Sequence, residues 1–340
     1  MDISLGGHTV SAQKLCAWAA LAAVAPGAIA NCHAQQGAWK PERAVEIVVP
    51  TTPGGAIDRT ARVMQRVLQN GRIVGVPVVV LNKPGGGQTI AMNHLDQRAG
   101  DGHELLVSTM SLMTNHILGR SKVNYTDYTP LAVLFGESMT LVVRPDSPLK
   151  AGRDIQERLR SDPRSMSIAI GIAVGGTNHL ALALVIKSMG IEVKKLKTVV
   201  FQSNGETMTA LMGGHVDLAP LSAASALEAV KQGKLRIVGV SSERRGDGPL
   251  AAIPTWKEQG FDVVFTNTRF LLGPKGLSAA QTAYWDAVFE RMIQSEEWKS
   301  EAQKDSLEMD YHSSRQSPQR LAVMYKQLKD ALIDAGLAKE

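Results

Sequence analysis

The chain has 340 residues, of which 44% are hydrophobic and 20% are charged, and its formal net charge is +5. Aromatic residues make up only 5%, and no dense run of lysine and arginine is interleaved with them, which argues against a nucleic-acid partner. The positive surplus is mild and dispersed, so it would modestly favour anionic small molecules. After the N-terminal region no stretch is long and apolar enough to cross a membrane, which predicts a soluble mature protein.

Residues 1–34 are typical of a secretory signal peptide. Lys14 precedes the apolar run LCAWAALAAVAPGAIA, which is rich in alanine, ends in small residues and is too short for a convincing membrane span. Cleavage could follow Ala30 or Ala34, and a lipoprotein site at Cys32 is a third option. The hydrophilic segment QQGAWKPERAV, which begins at residue 35, favours cleavage after Ala34.

The two cysteines of the chain, Cys16 and Cys32, both lie in this predicted signal peptide. The mature protein of 306 residues (340 − 34) would therefore contain no thiol, which excludes disulfides, zinc–cysteine sites and cysteine nucleophiles. An ordinary hydrophobic core must then stabilise it, and this length predicts two domains.

Past the signal peptide, short runs of β-branched residues alternate with helical stripes. Continuous apolar strands separated by amphipathic helices are typical of sheets covered on both faces, which predicts an α/β fold. In the first helix, Ile57, Ala61, Met64 and Leu68 form one apolar stripe. The C-terminal part shows helical stripes only. The predicted strands are residues 45–50, 78–82, 105–109, 140–145, 167–171, 197–201, 216–221, 236–242, 263–267 and 270–274.

Three strand-to-helix transitions contain glycine together with Ser, Thr, Asn or Gln: PTTPGGAID, IAVGGTNHLALALVI and FQSNGETMTALMGG. The first N–H groups of a helix have no intrahelical partner and carry the positive end of the helix dipole, and glycine lets a ligand approach the backbone. Three such starts predict helix N-termini that converge on one cleft and hold a carboxylate. The alternative is that the glycines only form tight turns and the polar residues only cap the helices.

The sequence lacks the common catalytic templates, including G-x-S-x-G, H-E-x-x-H, G-x-x-x-x-G-K-[ST] and G-x-G-x-x-G. The segment NKPGGGQT (82–89) has no Lys-Ser/Thr ending and is predicted to be a turn. The eight histidines include no i, i+4 pair on a helix, so we expect no metal site, no cofactor and no catalytic residue. His179, in the first turn of a glycine-opened helix, is expected to line a pocket or brace its loop.

At these loops the sequence resembles the periplasmic substrate-binding proteins of tripartite tricarboxylate transporters. VPTTPGGAID matches the first binding loop of that family, GGTNHLA (175–181) matches the second, and DGHELL (101–106) and LMGGHVD (211–217) match two further motifs. The resemblance covers the whole chain after the signal peptide. The chain departs from the family pattern at residues 51–52, at 201–203 and at Thr268 and Phe270, and these side chains are expected to shape the pocket.

The resemblance implies an α/β, two-domain periplasmic-binding-protein-like fold with a ligand cleft between the domains. The first domain would contain residues 35–145 plus 266–340, and the second would contain residues 146–265. The resemblance also implies a receptor that is not an enzyme, acts as a monomer in the periplasm, and binds a small carboxylate, a di- or tricarboxylate. Its partners would be the membrane subunits of a tripartite tricarboxylate transporter. The alternatives are a ligand-presenting sensor subunit of a two-component system and a hydrolase or isomerase of small acids that uses His179 or Asp217.

Within the implied site, Asp58 would brace the first loop, because a carboxylate that faced the solute would repel it. Arg269 favours the tricarboxylate branch of the family and would take a carboxylate bidentately, unless it pairs with an acid such as Glu258 or Asp262. The predicted ligand-binding residues are Thr51, Thr52, Pro53, Gly54, Gly55, Asp58, Gly175, Gly176, Thr177, Asn178, His179, Phe201, Ser203, Asn204, Asp217 and Arg269.

Overall fold

A computed structural model describes residues 39–171, 173–246 and 248–339 of the chain. The predicted signal peptide and both cysteines lie outside the described residues. The strands are β1 (Val45–Val49), β2 (Val78–Asn82), β3 (Glu104–Thr109), β4 (Thr129–Val143), β5 (Ser167–Gly171), β6 (Lys197–Phe201), β7 (Ala219–Ser222), β8 (Arg236–Val240), β9 (Thr266–Gly273) and β10 (Glu308–His312). The α-helices are α1 (Ala56–Asn70), α2 (Thr89–Asp96), α3 (Met110–Ile117), α4 (Gly152–Ser161), α5 (Thr177–Ser188), α6 (Asn204–Met212), α7 (Ala223–Lys231), α8 (Ala279–Gln294), α9 (Glu296–Lys304) and α10 (Ser317–Asp334).

The main sheet has the strand order β10-β4-β9-β3-β1-β2, and β7 and β8 also pair with β4. β1 is parallel to both β2 and β3, whereas β9 runs antiparallel to β3 and to β4. We call the part of the fold around β1, β2, β3, β9 and β10 the first lobe. The part around β5 to β8 is the second lobe.

The long strand β4 joins the two lobes. Residues 129–138 of β4 pair with β9, and residues 139–143 pair with β7 and β8. In the second lobe β5 and β6 are parallel, and Ile168 of β5 forms a parallel bridge with Leu218, next to β7. The domain bounds at residues 145 and 266 stay a prediction.

Helices cover both faces of the first-lobe sheet, and its central strands β1 and β3 are almost fully buried, as their apolar sequences predict. One face packs on α1, α8 and α9 through side chains that include Met64, Trp285 and Trp298. The other face packs on α2, α3 and α10, and Leu180 of α5 joins that cluster from the second lobe. The α/β class expected from the sequence is therefore confirmed. None of the described helices is both long and apolar enough to span a membrane.

Two predictions about strands were wrong. Residues 263–267 and 270–274 were expected to form separate strands, but 266–273 form the single strand β9. Thr268 and Arg269 interrupt the apolar pattern, yet both side chains are buried in the middle of this strand. The C-terminal part was expected to contain helices only, but β10 pairs with β4 at the sheet edge. Its sequence, EMDYH, is polar and half-exposed, so no apolar run marks it.

Candidate functional site

The strand register brings the ends of both sheets to the same part of β4. Thr109, at the end of β3, pairs with Arg269, and Arg269 pairs with Phe135 of β4. Ser222, at the end of β7, pairs with Met139 of β4. Because parallel strands end at the same edge, the loops after β1, β3, β5, β6 and β7 all open towards residues 135–139.

The loop between β1 and α1 is braced by Asp58, as expected from the sequence. Gly54 has a φ of 85°, and its N–H donates to Asp58 Oδ2 at 2.8 Å. Arg62 Nε donates to the same oxygen at 2.8 Å, and Asn82 Nδ2 donates to Oδ1 at 2.8 Å. Burial alone would raise the Asp58 pKa, but these hydrogen bonds outweigh it and hold the pKa below its usual value. The buried carboxylate is thus engaged with the protein.

The loop between β5 and α5 is built in the same way with a histidine in place of the aspartate. Gly175 has a φ of 74°, and its N–H donates to His179 Nδ1 at 2.8 Å. In both loops the first glycine is left-handed and donates to the side chain four residues later. The second glycine, Gly55 or Gly176, is the extended N-cap residue of the helix that follows.

The two glycine N-caps leave the first turns of α1 and α5 without a side-chain cap. By contrast, the first turns of α3, α6 and α7 are capped by Thr109, Ser203 and Ser222. At α6 the polar residue before the helix is therefore a cap, because Ser203 Oγ accepts a hydrogen bond from the N–H of Glu206 at 3.1 Å. At α1 and α5 the first N–H groups have no such acceptor and are suited to an anion.

The histidine that braces the second loop is neutral at physiological pH. His179 is 5% exposed, and burial, with a smaller effect from the charge of Arg120, lowers its pKa to about 4. Because Nδ1 accepts the Gly175 N–H, the proton of the neutral ring lies on Nε2. His179 therefore braces the loop, which is one of the two roles expected for it.

We expect His179 to make the protein less stable in acid. Its pKa is lower in the folded chain (about 4) than the ordinary value of 6.5, so the unfolded chain takes up the proton first as the pH falls. The loss in the free energy of unfolding begins near pH 6.5, reaches about 3 kcal/mol near pH 4 and is absent above pH 7. Urea unfolding from pH 7.5 to 4 should show that wild type loses more stability than a His179→Asn variant. Parallel profiles for the two proteins would contradict this assignment.

Side chains of both lobes meet beside the second loop. Ser111 Oγ of α3 lies 3.3 Å from Thr177 Oγ1 of α5. A Cβ at Gly175 would lie 2.6 Å from Leu118 Cδ1, so glycine lets this loop pack on the end of α3. Sequence reasoning missed Ser111 and α3, because no glycine marks the start of this helix. The available signal was Thr109, an N-cap residue that directly follows a buried strand.

Most of the other predicted residues lie at the same edge. Thr51 Oγ1 is buried and has no partner among the described atoms, whereas Thr52 and Pro53 are exposed. Asn178 Nδ2 donates to Asn204 Oδ1 at 2.8 Å, and Phe201 pairs with Gly171 at the end of β5.

Asp217 is not brought to this edge. Its Oδ2 accepts from the N–H of Ser167 at 2.8 Å, and Ser167 is the first residue of β5. The second loop follows the last residue of that strand, Gly171, which a rise of about 3.3 Å per residue places roughly 13 Å away. Asp217 therefore lies at the opposite end of the strand from His179.

Arg269 is buried in the first lobe and pairs with an acid that the sequence did not suggest. Its Nη2 donates to Glu137 Oε2 at 2.7 Å, and both side chains are 3% exposed. The acids named as alternatives are elsewhere, because Glu258 binds Arg245 and Asp262 lies 3.9 Å from Lys257. Nε and Nη1 of Arg269 have no partner among the described atoms. Arg269 also lines a cavity of about 40 Å³, whose lining includes Ala56, Ala224, Arg59, Glu301 and Asp305.

These lobes and loops define the fold of periplasmic binding proteins, and solved structures share it. A Rhodopseudomonas palustris protein solved with adipate is 22% identical, with a TM-score of 0.79 over 88% of this chain and 99% of that chain. MatC of Rhodopseudomonas palustris, solved with bound malate, is 22% identical, with a TM-score of 0.72 over 87% of this chain and 99% of that chain.

The sequence comparisons place the chain in a family. Residues 60–335 match the family described as "Tripartite tricarboxylate transporter family receptor". The chain belongs to this family, which confirms the resemblance. One curated relative, the UPF0065 protein in the gbd 5′ region of Cupriavidus necator, is 28% identical over 322 residues, which cover 94% of this chain and 95% of that protein.

Proposed function

We propose that the protein is a periplasmic receptor that binds a small dicarboxylate between its lobes and delivers it to the membrane subunits of a tripartite tricarboxylate transporter. It would act as a monomer that closes on its solute. The observation that carries this proposal is the pair of uncapped, glycine-opened helix starts, one from each lobe. Each offers backbone N–H groups and the positive end of a helix dipole to an anion.

The first-lobe loop presents no free negative charge to such a solute. Asp58 is the acid in the first turn of α1, and its two oxygens accept from Gly54, Arg62 and Asn82. Thr177, Asn178 and Thr51 can add neutral hydrogen bonds. A solute that contacts both lobes can form hydrogen bonds with both sets of N–H groups only when the lobes are close together. Binding would therefore favour the closed state.

Two observations favour a dicarboxylate over a tricarboxylate. The solved relatives with malate and adipate each hold a dicarboxylate. In this chain Arg269, the residue proposed to take a further carboxylate, is already paired with Glu137. The lining of the cavity beside Arg269 includes three acids against two arginines, Arg59 and Arg269, so its net charge does not favour another carboxylate there; the acids are Glu137, Glu301 and Asp305.

An enzymatic role has little support from the same residues. His179 is neutral and receives the Gly175 N–H, and Asp217 binds backbone at the other end of β5. The two therefore form no acid–base pair, and each is already engaged by a backbone N–H.

A thermal-unfolding screen tests the proposal. We expect malate, succinate and adipate to stabilise the protein by about 2.7 kcal/mol at one hundred times the dissociation constant, whereas sugars and basic amino acids leave stability unchanged. Mass spectrometry of solute released from gently purified protein should identify a dicarboxylate, and incubated acids should be recovered unchanged. Stabilisation by neutral sugars alone would reject the carboxylate assignment, and a converted acid would establish an enzyme.

A further inference from the structure

Three side chains of metal-binding type lie together in the first lobe, at the edge opposite the β1–α1 and β5–α5 loops, which we call the solute loops. Glu46, at the second position of β1, pairs in register with Glu104, the first residue of β3. His94 of α2 packs over the same face of the sheet. We call Glu46, His94 and Glu104 the β1–β3 cluster.

The ligand atoms of the cluster are close enough to share one ion. His94 Nε2 shares a 3.3 Å hydrogen bond with Glu104 Oε2 and lies 3.7 Å from Glu46 Oε2, and the three ligand atoms all lie within 4.8 Å of one another. Tetrahedral zinc, with bonds of about 2.0–2.1 Å, sets its ligands about 3.3 Å apart. Only small side-chain shifts would bring all three atoms to an ion.

The surroundings of the cluster support a metal site. Arg98 Nε holds Glu104 Oε1 at 2.9 Å, and Arg98 Nη1 donates to the carbonyl oxygen of His94 at 3.1 Å. Arg98 thus orients one ligand, the Glu104 carboxylate, from outside the cluster and leaves Glu104 Oε2 directed at His94, while its second bond ties it to the backbone of α2. His94 is 9% exposed and Glu104 is 1% exposed, whereas Glu46 is 34% exposed and gives an ion and its water ligand a path from solvent.

The cluster also places two acids side by side. When both are ionised, two carboxylates directly opposite each other on neighbouring strands repel, and one of them is fully buried. Lys83 and Arg98 are the positive groups whose charges act on His94, and Arg98 already binds the outer oxygen of Glu104. The two oxygens near His94 are Glu46 Oε2 and Glu104 Oε2. An ion between these oxygens would relieve the repulsion there.

We propose that Glu46, His94 and Glu104 bind one divalent transition-metal ion, for which zinc fits the donors best. One imidazole and two carboxylates, completed by water, form a ligand set that zinc accepts and that magnesium, which prefers six oxygens, does not. The ion ties α2 to β1 and β3 and stabilises the first lobe without contact with the solute loops.

Zinc titration of untagged, chelator-treated protein tests this site. Calorimetry should show one saturable zinc site in wild type, a rise in melting temperature on zinc addition, and no binding of Mg²⁺. Glu46→Gln, at a half-exposed position, should weaken zinc binding at least about tenfold, and His94→Gln should abolish it. His312→Gln is the matched control, because within the described part of the chain His312 pairs with a single carboxylate, that of Asp310 at 3.0 Å.

Equal zinc affinity in wild type and Glu46→Gln would overturn the proposal, as would the absence of a saturable site. Loss of binding in His312→Gln alone would place the site elsewhere and also overturn it. If His94→Gln fails to fold, the zinc affinities of Glu46→Gln and wild type still test the proposed site. Dicarboxylate affinity should stay unchanged in Glu46→Gln, so failure of the metal proposal and failure of the proposed receptor function give different results.

Discussion

Replacement of Arg269 by glutamine is expected to lower the free energy of unfolding by about 3–5 kcal/mol. Arg269 and Glu137 are each 3% exposed and share a 2.7 Å hydrogen bond in the middle of the first-lobe sheet. Without the guanidinium, the Glu137 carboxylate would stay buried without a counter-charge. Urea unfolding of the variant, monitored by tryptophan fluorescence, measures the effect.

A double variant separates charge from packing. Arg269→Gln combined with Glu137→Gln removes both charges and should recover part of the lost stability. The matched control is Arg245→Gln, whose partner Glu258 lies at the surface with 46% exposure, so the loss there should be about 1 kcal/mol or less. A loss of similar size in Arg269→Gln and Arg245→Gln would contradict the structural role of the buried pair.

The same double variant tests whether Arg269 meets the solute. If Arg269 only supports the sheet, the folded double variant should bind a dicarboxylate as tightly as wild type. A selective loss of tricarboxylate binding, with dicarboxylate affinity unchanged, would instead restore the sequence-based expectation of a direct contact. Calorimetry with malate and citrate distinguishes the two cases.

The sequence predicted those parts of the fold that depend on local pattern. The apolar stripe of α1, the buried strands β1 and β5 and the glycine pairs at 54–55 and 175–176 are all local signals, and the helices begin where they indicate. The family motifs extended the prediction from single helices and strands to the fold of the whole chain. The bracing role of Asp58 also followed from simple charge repulsion.

Contacts set by strand register could not be predicted in this way. Glu137 is 132 residues from Arg269 in the sequence, so only the pairing of β4 with β9 makes it the partner. The β1–β3 cluster is another case, because Glu46 and Glu104 become neighbours through the parallel register of their strands. The expectation of no metal site rests on histidine spacing along helices, and this spacing carries no information about residues that strand register brings together.

The sequence also does not show which helix starts are capped by a side chain and which are not. Ser203 and Asn204 looked equivalent to the loops at 54–55 and 175–176 because all of them precede helices. In the structure Ser203 is used as the cap of α6, while the glycines of α1 and α5 offer no side chain at all. The N-cap residue therefore decides which helix starts remain available to an anion.

Gly55→Val is expected to weaken dicarboxylate binding about 100-fold while the protein stays folded. Gly55 has φ −74° and ψ 170°, a conformation that valine adopts easily, and a Cβ there would meet nothing closer than Thr52 O at 3.7 Å. Gly54 is unsuitable because of its φ of 85°, and Gly176 is tighter, since a Cβ would lie 3.2 Å from Ala173 O.

The expected loss at Gly55 comes from the backbone rather than from a removed side chain. A branched side chain over the start of α1 would keep the solute from the first N–H groups, and each hydrogen bond to a charged group contributes about 1.5–3 kcal/mol. The N-cap change itself should cost about 1 kcal/mol of stability or less. Gly75→Val is the matched control, because a Cβ there meets no atom within 4 Å and Gly75 lies between α1 and β2, at the other edge of the sheet. Unchanged affinity in a folded Gly55→Val variant, or an equal loss in Gly75→Val, would show that the carboxylate does not bind at the start of α1.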